Sequence, residues 1–411
     1  MTNRIFVVVL FILEVLLCTS GEVAQSVDFT LQEKATGDPV VSATLRKLKN
    51  TCLFKNDYYF MRRVAWVESH FGREAGLFDR PERKGIWQLS TVGFQNTQNT
   101  SSHPGLRTLY ATINTQLGIN WPSMSYTDTN MNKALYNALA ARIYMQNKAD
   151  PIPPEVENQA ELWYRSYSVK PGATANKFLK EIESMPHCRS AGVDLILILD
   201  GSGSIGSYDF EKMKNVIYQI VNSTDIGPNR TNVAIIVFAS NVDKAVSFSQ
   251  TYLQNKNELL SKISRLSYPQ GGTNTHLALE AARSEFLNAR NMSLGFPRQL
   301  IILTDGDSNN PDSTKIEAAK LRNLTWLETY SIGMGPSFSG SGPGLQEITN
   351  IASLPTCTHV ITTPSVAQIS ALTDDLRDAS CQAAAPICSN ADCSGTINGQ
   401  VSPRDVRYFR D

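Results

Sequence analysis

Residues 193–204 read VDLILILDGSGS, a continuous apolar run that ends in an aspartate and a Gly-Ser turn. Three further apolar runs follow at residues 232–239, 299–304 and 330–334. Strands that are apolar on both faces are typical of a parallel sheet covered on both sides by helices. Helical patterns alternate with these runs, which predicts a doubly wound α/β domain with a mostly parallel sheet. The predicted helices are residues 208–222, 256–266, 275–287, 312–323 and 366–379.

Acidic side chains stand at the ends of two of these strands. Asp200 closes the first run, Asp305 closes the third, and the turn at residues 271–275 (GGTNT) enters a helix between them. Ligands of open α/β sheets bind beyond the carboxyl ends of the strands, so these loops should meet at one edge. Carboxylate and hydroxyl oxygens without His or Cys suit a hard divalent cation. We expect Mg²⁺, with Mn²⁺ or Ca²⁺ as alternatives, rather than Zn²⁺.

Three motifs follow one another along this domain: D-x-S-x-S at residues 200–204, G-T-N-T at 272–275 and T-D-G at 304–306. Their order and spacing resemble the von Willebrand factor type A domain, also found as the integrin I domain. The resemblance implies a metal-ion-dependent adhesion site formed by Asp200, Ser202, Ser204, Thr273 and Asp305. It also implies that a carboxylate from a protein ligand completes the metal's coordination. The alternative is a domain of this fold whose metal site is unused.

Residues 41–184 carry helical patterns and no convincing strand, which predicts a mainly α-helical domain. Glu68 shares one helix face with Met61, Val64 and Ala65 by the i, i+3, i+4, i+7 rule. Removing a carboxyl group from water favours its protonated form, which suits a general acid. Further helices are predicted at residues 132–147, 160–167 and 173–182.

Glu68-Ser69-His70 is followed at residues 85–88 by Gly-Ile-Trp-Gln. These segments resemble the catalytic-Glu and sugar-subsite motifs of the lysozyme-like superfamily, especially lytic transglycosylases and goose-type lysozymes. The helix around Asn137 and the segment around Tyr164 match two further motifs more loosely, and the Asn and Gly expected beside Tyr164 are absent. The resemblance implies that Glu68 protonates the glycosidic oxygen. The residues that it implies for glycan contact are Gly85, Ile86, Trp87, Gln88 and Tyr164.

The first 21 residues have the layout of a secretory signal peptide. Arg4 precedes an apolar run, and small residues follow at 19–21. The run is shorter than the roughly 20 apolar residues of a membrane span, so a membrane anchor is the less favoured alternative. No later segment is long enough to cross a bilayer. We therefore expect a secreted protein of the extracellular matrix.

Cysteine usage agrees with secretion. The chain has seven cysteines, of which Cys18 falls in the signal segment. An even number then remains, as expected for disulfides in an exported chain. The remaining cysteines are Cys52, Cys188, Cys357, Cys381, Cys388 and Cys393.

The spacing leaves the cysteine pairing open. Cys188 and Cys381 bracket the second domain and form the leading predicted pair. The last two cysteines lie close enough in sequence for a local loop. The rival scheme pairs Cys52 with Cys188 and Cys357 with Cys381.

Asn-x-Ser/Thr sequons beyond the signal segment are candidate N-glycosylation sites in a secreted protein. They are Asn99, Asn222, Asn229, Asn291 and Asn323. Because short sequons arise by chance, we expect some but not all of them to be used.

The 38 Lys and Arg residues balance 38 Asp and Glu residues, so the formal net charge is zero. A nucleic-acid-binding protein would normally carry a basic excess, so we expect no nucleic-acid partner. The hydrophobic fraction of 42% is enough to build folded cores within 411 residues. The predicted organisation is a signal peptide at 1–21, a flexible lead-in at 22–40, a lysozyme-like helical domain at 41–184, a linker at 185–192, the A domain at 193–381 and a Cys-containing tail at 382–411.

These features predict a secreted adhesion or matrix protein. Its A domain would bind an acidic protein ligand of the matrix or cell surface through the metal, and its first domain would contact a chitin-like or peptidoglycan-like glycan. The pairing resembles extracellular proteins of invertebrates, including matrix proteins of mineralised tissue. The alternative function is a secreted glycan hydrolase with Glu68 as general acid and base. Two other interpretations of the first domain are a module without activity and a helix in which Glu68 is an ordinary carboxylate.

Overall fold

The computed structural model describes residues 28–149, 151–168, 171–186, 192–294, 296–305, 308–334, 338 and 342–363. The predicted signal peptide, the helix at residues 366–379 and the tail at 382–411 lie outside the described residues, as does most of the predicted linker. The cysteines outside them are Cys18, Cys188, Cys381, Cys388 and Cys393. Within the described ranges, no helix is both long and apolar enough to cross a membrane.

The first domain packs its helices around one core in which Trp87, Trp121 and Trp163 are buried. Its α-helices are α1 (Asp38–Asn50), α2 (Phe60–Ser69), α3 (Thr91–Asn96), α4 (Leu106–Leu117), α5 (Asp128–Met131), α6 (Ala134–Lys148), α7 (Val156–Leu162) and α8 (Ala175–Glu183). The predictions at residues 132–147 and 173–182 are confirmed as α6 and α8. The residues predicted as one helix at 160–167 form the end of α7 and a π-helical turn over Trp163–Tyr167.

The prediction that this domain has no strand is wrong. Strands β1 (Arg83–Lys84) and β2 (Leu89–Ser90) pair in antiparallel orientation. Each strand has two residues, which is too short to produce an alternating pattern in the sequence. The turn between them contains Gly85, which has a φ of +68°.

The prediction of a flexible lead-in over residues 22–40 is wrong from residue 28 onwards. Phe29–Leu31 form a short 3₁₀ helix in which the Asp28 side chain accepts a hydrogen bond from the Thr30 backbone N–H. Helix α1 then begins at Asp38, with Pro39 in its first turn. A proline there is a start signal because its missing N–H has no helical partner to lose.

The second domain is built on a six-stranded sheet in the order β5-β4-β3-β6-β7-β8. The strands are β3 (Asp194–Asp200), β4 (Asn232–Phe238), β5 (Val242–Val246), β6 (Arg298–Thr304), β7 (Leu327–Met334) and β8 (Val360–Thr363). All neighbouring pairs are parallel except β4–β5, which is antiparallel. The four predicted strands and the mostly parallel sheet are confirmed, whereas the edge strands β5 and β8 were not predicted.

Both faces of this sheet are covered by helices. Leu195, Leu197 and Leu199 of β3 join the core cluster on one face, whereas Ile196 and Ile198 join the cluster on the other. This two-sided burial explains why β3 is apolar at every central position. The helices of this domain are α9 (Gly206–Ser223), α10 (Lys256–Ser264), α11 (Thr275–Glu285), α12 (Pro311–Arg322), α13 (Pro343–Ile351) and α14 (Thr356–His359).

Because the strands are mostly parallel, their carboxyl ends lie together on one side of the sheet and their amino ends on the other. We call these two sides the carboxyl-end edge and the amino-end edge. The carboxyl-end edge holds the loops that follow β3 and β6 and the loop that precedes α11. The Gly203 N–H donates to the Gly271 carbonyl at 2.8 Å, which ties the loop after β3 to the loop before α11. The amino-end edge holds the segments that precede the strands. There the Asn232 N–H donates to the Val193 carbonyl at 2.9 Å. Ligand chemistry is therefore expected at the carboxyl-end edge.

The two domains meet at the amino-end edge and share a disulfide. Cys52, which follows α1, is bonded to Cys357 in α14, with 5.7 Å between the Cα atoms. The rival pairing scheme is therefore wrong for both cysteines. The leading prediction, Cys188 with Cys381, lies outside the described residues. Only the packing of α1 against α14 brings these cysteines together, and no spacing pattern encodes it.

An ionic contact lies beside this disulfide. His359 Nε2 is 3.1 Å from Glu328 Oε1 at the start of β7. Burial alone would raise the pKa of Glu328, but the hydrogen bond and charge of His359, with the charge of Arg46 from α1, hold it below its usual value. Arg46 thus supplies an electrostatic contact between the domains in addition to the covalent one.

Candidate metal centre

Asp200 is the buried anchor of the carboxyl-end edge. Its Oδ1 accepts a hydrogen bond from the Ser202 N–H at 2.8 Å, and its Oδ2 accepts one from Thr304 Oγ1 at 2.7 Å. The side chain is fully buried at the end of β3, and burial raises its pKa although these hydrogen bonds oppose the shift. Two donors on one side thus hold the carboxylate in a fixed orientation.

Asp305 faces the same space from the end of β6. Ser204 Oγ donates to Asp305 Oδ1 at 3.0 Å, and the Ser202 and Ser204 hydroxyl oxygens are 3.1 Å apart. Burial, followed by the negative charge of Asp200, raises the pKa of Asp305 to about 6. The fold therefore holds two carboxylates and two hydroxyls together, and no Lys, Arg or His among the described residues forms an ion pair with either carboxylate.

Thr273 is brought to the same edge through its backbone. The Asn309 N–H donates to the Thr273 carbonyl at 2.8 Å, which ties the loop before α11 to the loop after β6. The Thr273 side chain is nearly buried, whereas Ser204 is exposed to solvent. The five predicted residues thus lie in three adjacent loops, closed towards the sheet and open towards solvent at Ser204.

This donor set fits a hard divalent cation. It contains only carboxylate and hydroxyl oxygens, which suit Mg²⁺, Mn²⁺ or Ca²⁺. A cation between Asp200 and Asp305 would compensate the repulsion that raises the pKa of Asp305. Within the described ranges, no group of three or more His, Cys, Asp or Glu side chains is arranged to hold a metal. The carboxyl-end edge is therefore the best-supported metal site in the described part of the chain.

Two residues that support this site were not assigned a role from the sequence. Thr304 donates to Asp200, although the sequence places it only within the T-D-G motif. Tyr268 donates its hydroxyl to the Ser202 carbonyl at 2.9 Å and accepts from the Gly206 N–H at 3.1 Å. A tyrosine directly before a Pro-x-Gly-Gly turn has no local signal for this role, because its partners lie more than 60 positions away.

A second network holds the loop that carries Asp305. The Glu347 carboxylate, buried in α13, accepts from Ser308 Oγ at 2.6 Å and from the Ser308 N–H at 3.3 Å. Thr314 Oγ1 is 2.9 Å from Ser308 Oγ. Glu347 therefore links α13 to Ser308, which lies three positions after Asp305. Helix α13 was not predicted from the sequence, so the buried face that contains Glu347 could not be identified.

We expect Glu347→Ala to weaken Mn²⁺ binding by about 10-fold, the lower range for residues that orient metal ligands. The physical reason is that Ser308 would lose its acceptor and the Asp305 loop its anchor. Glu347→Gln keeps one acceptor oxygen and should lose less affinity. Isothermal titration with Mn²⁺ measures both, and Gln346→Ala, an exposed position on the same helix, is the matched control. Equal affinities for the Glu347→Ala variant and the wild type would contradict this role.

The motif residues of the first domain converge around the β1–β2 turn. Ser69 Oγ donates to the Ile86 carbonyl at 2.6 Å, and the Trp87 N–H donates to Asn137 Oδ1 at 2.7 Å. The Tyr167 hydroxyl donates to the Trp87 carbonyl at 2.6 Å. Side chains from α2, α6 and the π-helical turn thus hold the segment 85–88 in place.

Glu68 lies inside this cluster and is closed to solvent. Trp163 Nε1 donates to Glu68 Oε1 at 2.8 Å, and Arg83 Nη1 lies 3.8 Å from Oε2. The Glu68 side chain is 2% exposed, whereas Tyr164 is 46% exposed. The structure therefore places Glu68 in the buried cluster that holds the segment 85–88 and leaves Tyr164 at the surface.

Gly85 is required by close packing as well as by its backbone angle. A Cβ there would lie 2.3 Å from the Met131 carbonyl and 2.4 Å from the Asn137 side chain. We expect Gly85→Ala to lower the free energy of unfolding by about 2–4 kcal/mol, since it combines backbone strain with a core clash. Chemical denaturation measures this loss.

The matched control for this substitution is Gly76→Ala. Gly76 has the same φ of +68°, but a Cβ there would meet no atom within 4 Å. We expect Gly76→Ala to lower the free energy of unfolding by about 1 kcal/mol, from backbone strain alone. Equal losses in the two variants would show that the contacts with Met131 and Asn137 contribute nothing.

Comparison with known proteins identifies the second domain. Residues 194–375 match the family model of the von Willebrand factor type A domain. Matrilin-2 of Mus musculus is 32% identical over 198 residues, which cover 47% of this chain and 20% of that protein. Matrilin-4 of Homo sapiens is 31% identical over 198 residues, which cover 47% of this chain and 30% of that protein. The chain thus spans less than a third of the length of these two relatives.

Two solved structures match part of this chain. Proximal thread matrix protein 1 from the mussel byssus, with a zinc-occupied MIDAS motif, has a TM-score of 0.41 and 24% identity over 51% of this chain and 52% of its own. The manganese-loaded TRAP protein of Plasmodium vivax has a TM-score of 0.36 and 23% identity over 45% of this chain and 73% of its own. The family match and the mostly parallel sheet agree in position, since residues 194–375 match the von Willebrand factor type A model and the described residues of that range contain the six-stranded sheet.

Proposed function

We propose that this protein is a secreted adhesion or matrix protein whose A domain binds a carboxylate of an extracellular protein through a divalent cation. The observation that carries the proposal is that the carboxylates of Asp200 and Asp305 lie together with two serine hydroxyls at the carboxyl-end edge. Two carboxylates balance the formal charge of a divalent ion but fill only part of its coordination shell, which leaves open positions on its solvent side. An acidic side chain of a partner protein has the oxygen donor that can fill such a position.

The residues that would hold the cation are those of the three adjacent loops, Asp200, Ser202, Ser204, Thr273 and Asp305. The bound cation would supply a Lewis-acidic contact for the incoming carboxylate. Thr304 keeps Asp200 oriented, and Tyr268 holds the backbone of the Ser202 loop. Mg²⁺ is the expected ion, with Mn²⁺ and Ca²⁺ as alternatives that the same oxygen donors accept.

The test is adhesion to a decellularised matrix with three matched interventions. We expect wild-type protein with Mg²⁺ to bind, and we expect binding to be lost with a chelator, in Asp200→Ala, and after the matrix carboxyl groups are amidated. Binding that survives all three would overturn the proposal. Binding that is lost with the chelator but survives amidation would overturn the acidic ligand while leaving the metal site intact.

A glycan-contacting first domain is the second candidate, with Glu68 as general acid in its enzymatic form. It is supported by the convergence of Glu68, the segment 85–88 and Asn137 around one turn. A general acid must come within about 3 Å of the oxygen that it protonates. The burial of Glu68 therefore means that catalysis would require the cluster around Trp163 and Arg83 to open.

Wild type and Glu68→Gln, incubated with chitin oligomers and with peptidoglycan, test this candidate. Cleavage by the wild type alone, read by mass spectrometry, would support a glycosidase, and 1,6-anhydro ends would indicate a lytic transglycosylase. Binding of the polymers by both proteins without products would support a glycan-binding module. Neither binding nor products would overturn glycan contact altogether.

A further inference from the structure

The four sequons of the A domain all lie at its amino-end edge. Asn222 stands in the last turn of α9, Asn229 precedes β4, Asn291 precedes β6 and Asn323 follows α12 before β7. All four asparagines are exposed. The described loops of the carboxyl-end edge contain no sequon. This distribution is a property of the fold, because the four positions are spread over about a hundred residues of sequence.

Arg290 joins two of these sequons into one surface. Its Nε donates to Asp194 Oδ1 at 2.8 Å, and its Nη1 donates to the carbonyls of Arg230 at 2.7 Å and Pro228 at 3.1 Å. Asn229 lies between those two carbonyls in sequence, and Asn291 directly follows Arg290. The two asparagines are therefore held near each other at the start of β3.

Exposed apolar side chains lie close to Asn291 in sequence. We call Leu287, Met292 and Leu294 the apolar strip, and their exposed fractions are 85%, 52% and 54%. Single exposed apolar residues are ordinary, but three within eight positions of one loop form a patch that favours association in a secreted protein. The Asn291 Oδ1 accepts from the Ser293 N–H at 3.0 Å, and no hydrogen bond joins its Nδ2 to any residue that the structure describes.

We propose that the amino-end edge carries N-linked glycans and that the glycan at Asn291 covers the apolar strip. The attached oligosaccharide presents C–H faces of its sugar rings to the apolar side chains and its hydroxyls to water. A bulky polar cover of this kind is a common way to keep an exposed surface soluble. The proposal rests on the exposed residues of this edge and is independent of the metal site.

The chemical step is a group transfer from a lipid-linked oligosaccharide, which the secretory pathway of the producing cell supplies. The C1–Nδ2 bond forms on Asn291 while the bond from C1 to the lipid pyrophosphate oxygen breaks. The amide proton leaves Nδ2, and the lipid pyrophosphate departs with the electron pair of the broken bond. No oxidant or reductant is required.

The proposal has a consequence for adhesion. Glycans at the amino-end edge would exclude partners from that side of the sheet, and the first domain already occupies the part next to β7 and β8 through Cys357. The carboxyl-end edge, which bears no sequon among the described residues, would remain as the accessible edge. Glycans at the amino-end edge and the metal at the carboxyl-end edge would then both make the carboxyl-end edge the surface that meets partners.

The test uses the full chain secreted from cells that perform N-glycosylation. The protein is treated with peptide-N-glycosidase in ¹⁸O water, and tryptic peptides are read by mass spectrometry. We expect the deamidation mass gain at Asn291 in most molecules and at a majority of the other three A-domain sequons. Loss of the mass gain at Asn291 would overturn the proposal.

The covering role has its own readout, which is the fluorescence of a hydrophobic dye. Asn291→Gln and Ser293→Ala both remove the sequon and should increase dye binding, whereas Ser293→Thr keeps the sequon and should not. Asn99→Gln, which removes the sequon of the first domain, controls for general loss of carbohydrate. Deglycosylation of the folded wild type provides the same comparison if a variant fails to fold. Unchanged dye binding after removal of the Asn291 glycan would overturn the covering role.

Mn²⁺ titration of the same variants separates this proposal from the proposed function. We expect unchanged Mn²⁺ affinity in each, because the substituted positions lie at the opposite edge of the sheet. Failure of metal binding in the wild type would overturn the adhesion proposal and leave the glycan proposal standing. Absence of glycans with intact metal binding would overturn the glycan proposal and leave the adhesion proposal standing.

Discussion

Asp200→Ala should reduce Mn²⁺ affinity by more than about 100-fold, beyond the 10–100-fold range that supporting residues of metal sites cost. Asp200 is one of two carboxylates that the described residues bring into the cluster, and it is the one that Thr304 and the Ser202 backbone hold in position. Its loss removes a negative charge and at least one donor oxygen from the site. Isothermal titration with Mn²⁺ measures the loss, and circular dichroism establishes that the metal-free variant is folded.

Asp209→Ala is the matched control for this result. Asp209 lies in the first turn of α9, close enough to influence Asp305, but its carboxylate pairs with Lys212 at 3.4 Å and is half exposed. We expect its substitution to change Mn²⁺ affinity by less than about threefold, as for an exposed charge screened by water. Similar losses in both variants would mean that the edge attracts cations through its general charge and does not coordinate them.

The double variant Cys52→Ser/Cys357→Ser should lose about 3–5 kcal/mol of unfolding free energy. The cysteines are separated by 305 positions, so the bond removes a large part of the chain entropy of the unfolded state. It also joins the two domains, and its loss leaves Arg46 and its electrostatic contact with Glu328 as a weaker link between them. Urea denaturation followed by tryptophan fluorescence, with all other cysteines unchanged, measures the difference.

The number of unfolding transitions shows whether the disulfide joins the two domains or only stabilises the chain as a whole. With the bond intact, the two domains should unfold in one transition, and without it the denaturation curve should broaden or split in two. Arg46→Ala in the oxidised protein is the control, since it removes the charge and keeps the covalent link. Superimposable curves for the wild type and the double cysteine variant would contradict a role of the bond in joining the domains.

The carboxyl-end edge could be predicted well because its chemistry follows directly from the strands. The apolar runs that end at Asp200 and before Asp305 define both the sheet and its polar loops. The short edge strand β5 was missed because Asp243 and Lys244 interrupt its apolar character, as is common for strands at a sheet edge. Glu347 was missed for a different reason, since its helix begins in a Pro- and Gly-rich segment with little helical pattern.

The first domain was predicted less completely because its features depend on contacts between distant segments. The motif spacing identified Glu68 and the segment 85–88, and these do lie together. The spacing could not show that Trp163 seals the carboxylate from solvent. Nor could it show that Tyr164 is exposed while its neighbour Trp163 is buried, because the π-helical turn that contains both decides their burial.

The sequence by itself determined the parallel sheet of the A domain and the oxygen-rich character of its carboxyl-end loops, because continuous apolar runs and the residues directly after them are local properties. Only the tertiary structure decided which cysteine Cys52 meets, whether Glu68 reaches solvent and that four sequons share one edge. These outcomes depend on how segments separated by up to 305 positions pack together. Packing of that range is selected by the shape and burial of whole elements, and no short stretch of sequence carries it.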